Sequence, residues 1–277
     1  MRVYSLRTGA NRIERMNIQM STQQPTSNQA QDLKGQVALV TGASSGIGMA
    51  VARALAQRGV RVALAARRVD RLRTLAEELT GDGQSDALAL ACDVRNPDDV
   101  QAAVKQTLDR WGHLDILVAN AGFGYRSPLV DGDITRWKDM IDTNVYGLLL
   151  TLKYGVAPML ERGRGHVIVT SSVAGRVPTL LGSAYCGSKF AATAIADVLR
   201  QEVGPKGVRV TTIEPGVVIS EFQQVADYPP GILENMLKGA TPLVPADIAR
   251  AVVFAVEQPA HYAISEMVVR PTGQAFP

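Results

Sequence analysis

Along residues 36–271, seven short runs of β-branched and apolar residues alternate with stretches of helical periodicity. The runs are "VALVT" from Val37, "VRVALAA" from Val60, "ALALACDV" from Ala87, "LDILVAN" from Leu114, "GHVIVTSS" from Gly165, "GVRVTTIEP" from Gly207 and "SEMVVRP" from Ser265. Between them, segments such as "DRLRTLAEEL" and "PDDVQAAVKQTLDRW" repeat apolar residues at the spacing of one helix face. Strands apolar on both sides cannot border water, so helices must cover each face of the sheet they form. The order strand, helix, strand therefore predicts a doubly wound α/β fold, one domain with a seven-stranded parallel sheet flanked by helices. With 277 residues and 46% hydrophobic content, the chain can bury one such core, assigned to residues 32–277. Residues 219–245 lack clear periodicity and are expected to form a lid, because long irregular segments inside compact α/β domains usually serve function.

Several function classes are argued against by charge and composition. The formal charge is +3, and residues 1–31 carry Arg2, Arg7, Arg12 and Arg15 against Glu14, so the remaining body is neutral and offers no footprint for nucleic acid. The apolar stretch "YGLLLTLKYGVAPML" is broken by Lys153 well before the ~18 residues of a membrane span. No membrane partner is expected, and the chain reads as cytoplasmic. Residues 1–31 are polar and expected to be disordered, and their lack of a continuous apolar core argues against a secretory signal. Their Arg-rich, acid-poor start resembles an organelle transit peptide, while translation from Met16 or Met20 is the favoured alternative. Cys92 and Cys186 are too few for a disulfide scaffold and read as small core or near-site residues in a reducing compartment. His113, His166 and His261 belong to no ligand motif, so no metal is expected.

The stretch "LVTGASSGIGMAVARAL", residues 39–55, joins the first strand to the first helix. Glycine at 42 and 46 permits a tight turn, and a helix beginning near Gly46 points free amides and its positive dipole end at an anion. Gly48 lies inside the helix start, where glycine costs about 1 kcal/mol relative to alanine. Only close packing or ligand approach accounts for it. On its own the stretch points to a nucleotide. Further along, Tyr185 and Lys189 stand four apart on the helical pattern "SAYCGSKFAATAIADVLRQEV" and so share one face. Ser172 stands thirteen residues before Tyr185, at the end of the fifth strand, on the edge where open α/β sheets place their ligands.

"TGASSGIG" matches the TGxxxGxG signature of the short-chain dehydrogenase/reductase family. The match continues in the family's order through "CDV" (92–94), "NAG" (120–122), Asn144, "SS" (171–172), "YCGSK" (185–189) and "EPG" (214–216). The sequence resembles that family over residues 36–271, which implies a Rossmann-type fold, a nicotinamide dinucleotide and hydride transfer to or from a carbonyl or secondary alcohol. The resemblance places Gly42, Ser44, Ser45, Gly46, Ile47 and Gly48 around the pyrophosphate. Asp93 and Val94 would flank the adenine, and Asn120, Ala121 and Gly122 would contact the cofactor, Asn120 from a strand end that also supports the central sheet. Pro215, Gly216, Val218 and Ser220 would also contact the cofactor, as would Tyr185 and Lys189, with Ser220, standing where the family usually has threonine, on the nicotinamide carboxamide or the diphosphate. The second strand ends in Ala66, Arg67 and Arg68, with no acid for the ribose hydroxyls. Arginine forks match phosphate geometry, so NADP(H) is the expected cofactor, with Arg67 on the 2′-phosphate and Arg68 assisting or stacking on adenine.

By the same resemblance Tyr185 is the general acid/base, Ser172 holds the substrate oxygen, and Lys189 and the nicotinamide charge pull the tyrosine pKa down from its ordinary value near ~10. Asn144, read as mid-helix, would extend a proton relay through water to Lys189. The C-terminal "PADIARAVVFAVEQPAHYAISEMVVRPTGQ" resembles the branch of NADP-dependent 3-hydroxy acid and serine dehydrogenases and carbonyl reductases. In residues 221–240, Phe222, Tyr228, Ile232, Leu233 and Met236 balance Glu221, Asp227, Glu234 and Lys238, with no clustered arginines to clamp a carboxylate. The expected substrate is a small-to-medium, moderately apolar carbonyl or alcohol, with a 3-oxoacyl thioester or steroid as alternative. A non-catalytic NADP(H)-sensing regulator would have lost Tyr185, Lys189 or Ser172, and all three are retained. A homo-oligomer, tetramer or dimer, is implied by the resemblance alone.

Overall fold

The computed structural model describes residues 30–274 apart from residues 82, 84, 229 and 230, so the expectation of a disordered extension lies almost wholly outside the described residues. At the edge of that extension, the Gln31 amide donates to the Glu257 carbonyl at 2.7 Å.

From the N-terminal side the elements run β1 (Val37–Thr41), α1 (Gly46–Ala56), β2 (Arg61–Ala66), α2 (Val69–Gly81), β3 (Ala87–Ala91), α3 (Pro97–Trp111) and β4 (Ile116–Ala119). They continue with α4 (Ile134–Ile141), α5 (Gly147–Arg162), β5 (Gly165–Thr170), α6 (Ser183–Val203) and β6 (Val208–Pro215). The short helices α7 (Phe222–Val225) and α8 (Ile232–Leu237), then α9 (Pro245–Val256) and β7 (Glu266–Val269), complete the chain. Each of the seven expected strands forms, and all pair in parallel in the order β3-β2-β1-β4-β5-β6-β7.

Alternation along each strand feeds two cores. Ala38 and Val40 of β1 join Val62 and Leu64 of β2 under α1, α2 and α9. Val37 and Leu39 point the other way, with Leu117 and Val167, under α3, α5 and α6. Helix starts are specified locally: the Asn96 side chain accepts from the Asp98 amide ahead of Pro97, and α3 ends at Gly112 in the left-handed region, φ 78°.

The chain walks outward from β1 to β3, then returns to the other side of β1 to build β4 onward. That reversal opens a crevice at the carboxyl ends of β1 and β4, the place where such sheets receive ligands. Thr41 closes its floor: its hydroxyl donates to the Val118 carbonyl at 3.2 Å and accepts from the Asn120 amide at 3.0 Å. The Asn120 carboxamide donates to the Thr41 carbonyl at 3.1 Å and accepts from the Thr170 hydroxyl at 3.2 Å, joining β1, β4 and β5. A Cβ on Gly48 would lie 2.4 Å from the Gly42 carbonyl oxygen and 2.6 Å from Asn120 Nδ2. Close packing is therefore the reason for this glycine. Helix propensity alone predicts that Gly48→Ala stabilises by about 1 kcal/mol. The packing predicts instead a loss of about 1–3 kcal/mol, read from the urea-unfolding midpoint.

Candidate active site

The first wall is the glycine turn. Gly42 and Gly46 have φ of +68° and +54°, conformations that L side chains rarely adopt. Ser45 precedes α1 without capping it through its side chain, so the first-turn amides are left for another acceptor. The Ser45 hydroxyl is used elsewhere, accepting from Arg68 Nη2 at 2.6 Å, while Ser44 Oγ accepts from Arg68 Nε at 3.1 Å. Arg68 Nη1 completes an ion pair with Glu221 at 2.8 Å, and Arg71 binds the same carboxylate at 2.6 Å. Together they hold Glu221 below the usual glutamate range. Arg68 is thus committed to tying the turn to the lid, which leaves adenine stacking without support. Arg67 is exposed and its side chain makes no hydrogen bond or ion pair among the described residues.

A cavity of about 530 Å³ runs from this turn to the lid. Ser44, Ser45, Ile47, Arg67 and Arg68 line one end. Asp93, Val94, Asn120, Ala121 and Gly122 line its middle, and Pro215, Gly216, Val218 and Ser220 its far side. Gly48 and Asn144 do not line it. Gly48 sits behind Gly42 and supports the turn from the rear.

Asn144 is also not in a regular helix. It occupies a π-helical turn, Asp142–Tyr146, between α4 and α5. Its Nδ2 donates to the Phe123 carbonyl at 2.8 Å and to Ser188 Oγ at 3.0 Å, and its Oδ1 accepts from the Phe123 amide at 3.0 Å. Both carboxamide protons are engaged, so this side chain pins the loop after β4 to α6.

Ser172, Tyr185 and Lys189 do converge on the cavity. Ser172 follows β5 and caps a single turn, Val173–Gly175, its Oγ accepting from the Ala174 amide at 3.1 Å. Lys189 Nζ donates to the Thr170 carbonyl at 3.0 Å and lies 6.0 Å from the Tyr185 ring centroid. Burial pulls the lysine pKa down to about 8. Burial also drives the Tyr185 phenol above its ordinary value, with Tyr228 adding to the rise, while the nearby Ser172 hydroxyl and the charge of Arg126 oppose it. The expected downward pull is outweighed in the protein by itself, because desolvating a phenolate costs more than these neighbours return.

Residues 219–245 form the opposite wall through α7, α8 and the segments around them. Phe222 packs between Tyr185 and Tyr228, with ring centroids 5.8 and 6.3 Å away. Arg136 ion-pairs with Asp227 and donates to the Val225 carbonyl at 2.8 Å, anchoring the lid to α4. Sequence reading missed Arg126, which lines the cavity from the loop after β4. The available signal was a single arginine inside the otherwise uncharged stretch "NAGFGYRSPLV".

The remaining candidates lie apart from this chemistry or stay inert. Burial pushes the Cys92 thiol up to about 12, and Cys186 is buried beside Tyr185. His166 is buried, its Nε2 2.7 Å from Thr211 Oγ1, and burial keeps it neutral. Among the described residues, no group of three or more His, Cys, Asp or Glu side chains is placed to hold a metal ion, and no helix is long and apolar enough to cross a membrane.

A parallel sheet with a glycine turn at its switch point and a cavity along its carboxyl edge defines a Rossmann-type nucleotide-binding protein. The chain belongs to the short chain dehydrogenase family, whose model matches residues 36–228. Over 240 residues it is 39% identical to the glycine betaine reductase of Emericella nidulans, covering 86% of this chain but only 19% of that protein's length. It is 36% identical to an uncharacterized oxidoreductase of Staphylococcus saprophyticus, covering 87% of this chain and 99% of the relative. The solved alcohol dehydrogenase of Thermococcus sibiricus, complexed with 5-hydroxy-NADP, is similar with a TM-score of 0.79 and 33% identity, covering 87% and 99% of the two chains.

The buried lysine makes a signed prediction. Below pH 8 Lys189 keeps its proton in both folded and unfolded chains; between about 8 and 10.5 the folded chain loses it first, so stability rises with pH relative to a variant lacking the amine. Measured by denaturant unfolding, the native chain is expected to gain about 2–3 kcal/mol on Lys189→Met between roughly pH 7 and pH 10.

Proposed function

We propose that the chain is an NADP(H)-dependent oxidoreductase that interconverts a carbonyl compound and the corresponding alcohol, with Tyr185 as the proton-transferring group. The observation that carries this reading is the convergence of Ser172, Tyr185 and Lys189 on a cavity whose other end is the glycine turn and Arg67. The turn fits a dinucleotide: its glycines leave the backbone bare, and the unspent first-turn amides of α1 face an anion. Arg67 fits a 2′-phosphate because its exposed guanidinium is held in no ion pair among the described residues, feeling Asp93 only at longer range. The bound NADP(H) would supply or accept the hydride, so that one hydride and one proton turn C=O into CH–OH.

The chain's own residues do the rest. Ser172 holds the substrate oxygen from the end of β5. Burial keeps the proton on Tyr185 at neutral pH, the form that donates to a carbonyl oxygen during reduction. Lys189, fixed on the Thr170 carbonyl, places a cation beside the phenol as that proton leaves. Asn144 acts by position, holding Phe123 and Ser188 so that the loop after β4 and α6 keep their spacing. Phe222 and the lid aromatics exclude water from the oxygen being protonated.

NADPH oxidation with a panel of aldehydes, ketones and oxo acids tests the reading. Tyr185→Phe is expected to lower kcat by about 10²- to 10⁴-fold while NADPH binding, followed by nicotinamide fluorescence, is retained. An unchanged rate would sink the role of the phenol. Separately, Arg67→Ala is expected to weaken NADPH binding by about 10- to 100-fold with little effect on NADH. Equal NADPH affinity in parent and variant would refute the phosphate contact.

A further inference from the structure

We propose that Arg126 is the anion-binding residue of the substrate pocket, and that the substrates carry a carboxylate: oxo acids in reduction, the matching hydroxy acids in oxidation. This assignment rests on the reading of the cavity as a reductase site and names its substrate class.

Arg126 is 7% exposed, yet it has no ion-pair partner among the described residues. Of the other charges around the cavity, Arg67 is exposed at the glycine turn and Lys189 is held on the Thr170 carbonyl. Arg68 and Arg71 hold Glu221, and Arg95 holds Asp93 and Asp139. Asp227 of the lid is paired with Arg136, and Glu234, the remaining lid acid, is exposed and does not line the cavity. A buried guanidinium without a counter-ion is costly, and a ligand anion is the group that completes it.

The geometry selects the kind of anion. Nη1 donates to Thr179 Oγ1 at 3.2 Å and to the Leu180 carbonyl at 2.9 Å, which fixes the plane of the guanidinium. The Tyr228 ring lies under it, 4.9 Å from Cζ to centroid. Nε is buried with no partner, and Nη2 makes no hydrogen bond among the described residues. These two N–H groups form one edge of the fork, the edge that takes both oxygens of a carboxylate. A single open edge backed by Tyr185, Phe222, Tyr228 and Met236 suits a carboxylate on a short carbon chain better than a phosphate with its additional charge and oxygens. The lid's lack of arginines is consistent with this, because the cation enters from the loop after β4 instead.

Initial rates of NADPH oxidation, measured for 2-, 3- and 4-oxo acids each against its methyl ester, decide the matter without any variant. At least one acid is expected to exceed its ester in kcat/KM by about 10- to 100-fold, chiefly through a lower KM. Arg126→Met is expected to remove that preference, so that each acid and its ester are reduced with similar kcat/KM, and Arg126→Lys to restore part of it. NADPH binding and the melting temperature of each variant confirm that it is folded. Esters reduced as well as or better than every acid by the native chain, or an acid preference that survives in folded Arg126→Met, would overturn the assignment while leaving the reductase reading intact. No reduction of any acid, ester or aldehyde, with NADPH still bound, would remove both.

Discussion

The carboxamide of Asn120 is the interaction around which the site is arranged. At the switch point the sheet has no strand-to-strand continuation above Thr41, and the crevice needs a polar group that can bond to β1, β4 and β5 together. Asparagine supplies both a donor and an acceptor on a short stem. Placing it there fills the space behind the glycine turn, and this is why alanine is excluded at 48 and any side chain is crowded at 42, where a Cβ would lie 3.0 Å from Asn120 Nδ2 and 2.9 Å from Ala121 Cα. The glycine pattern and the "NAG" tripeptide, some eighty residues apart, are therefore one physical device. Phe123, just beyond it, is gripped by Asn144, so the same loop also sets the distance to α6 and Tyr185.

Above that floor, the reacting end of the cavity is set by desolvation rather than by close charge pairing. Tyr185 and Lys189 are both buried, and burial moves their pKa values in opposite directions, each toward the neutral form. The pair thus keeps its proton on the phenol at neutral pH, while the amine, with its midpoint lowered to about 8, is still mostly charged there. Interactions that favour the phenolate, from Ser172 and Arg126, are present but smaller. Added positive charge in the cavity would shift this balance strongly, because a low-dielectric site screens little.

Much of the fold could be read from the sequence because its constraints are local. Strands buried on both faces carry continuous apolar runs, and all seven appear where those runs stand. The spacing of Tyr185 and Lys189 is a property of one helix and survives unchanged. What was hidden depends on partners distant in sequence. Whether Arg67 or Arg68 is free is decided by Glu221, more than 150 residues later. The π-helical turn at Asp142–Tyr146 has no local signature, since Asn144 is drawn out of helical register by Phe123 and Ser188. Arg126 looked like one loop arginine among many; its burial comes from the Thr179–Leu180 segment on one side and the Ala226–Tyr228 segment on the other.

The lid then takes on a definite mechanical character. Its contacts with the rest of the molecule include two charged anchors, Glu221 on Arg68 and Arg71 and Asp227 on Arg136, the aromatic contact of Phe222 with Tyr185, and the Arg126 and Leu243 amides donating to the Ala226 and Val217 carbonyls. Partly exposed ion pairs contribute only about 0–1 kcal/mol each, so neither anchor alone holds the segment down. Phe222 packs against the phenol ring, and Arg68 joins the lid to the glycine turn, since the same guanidinium bonds Ser44, Ser45 and Glu221. Any ligand that competes for Ser44 or Ser45 must redistribute the bonds of Arg68. The nucleotide end and the lid thus share one side chain, Arg68.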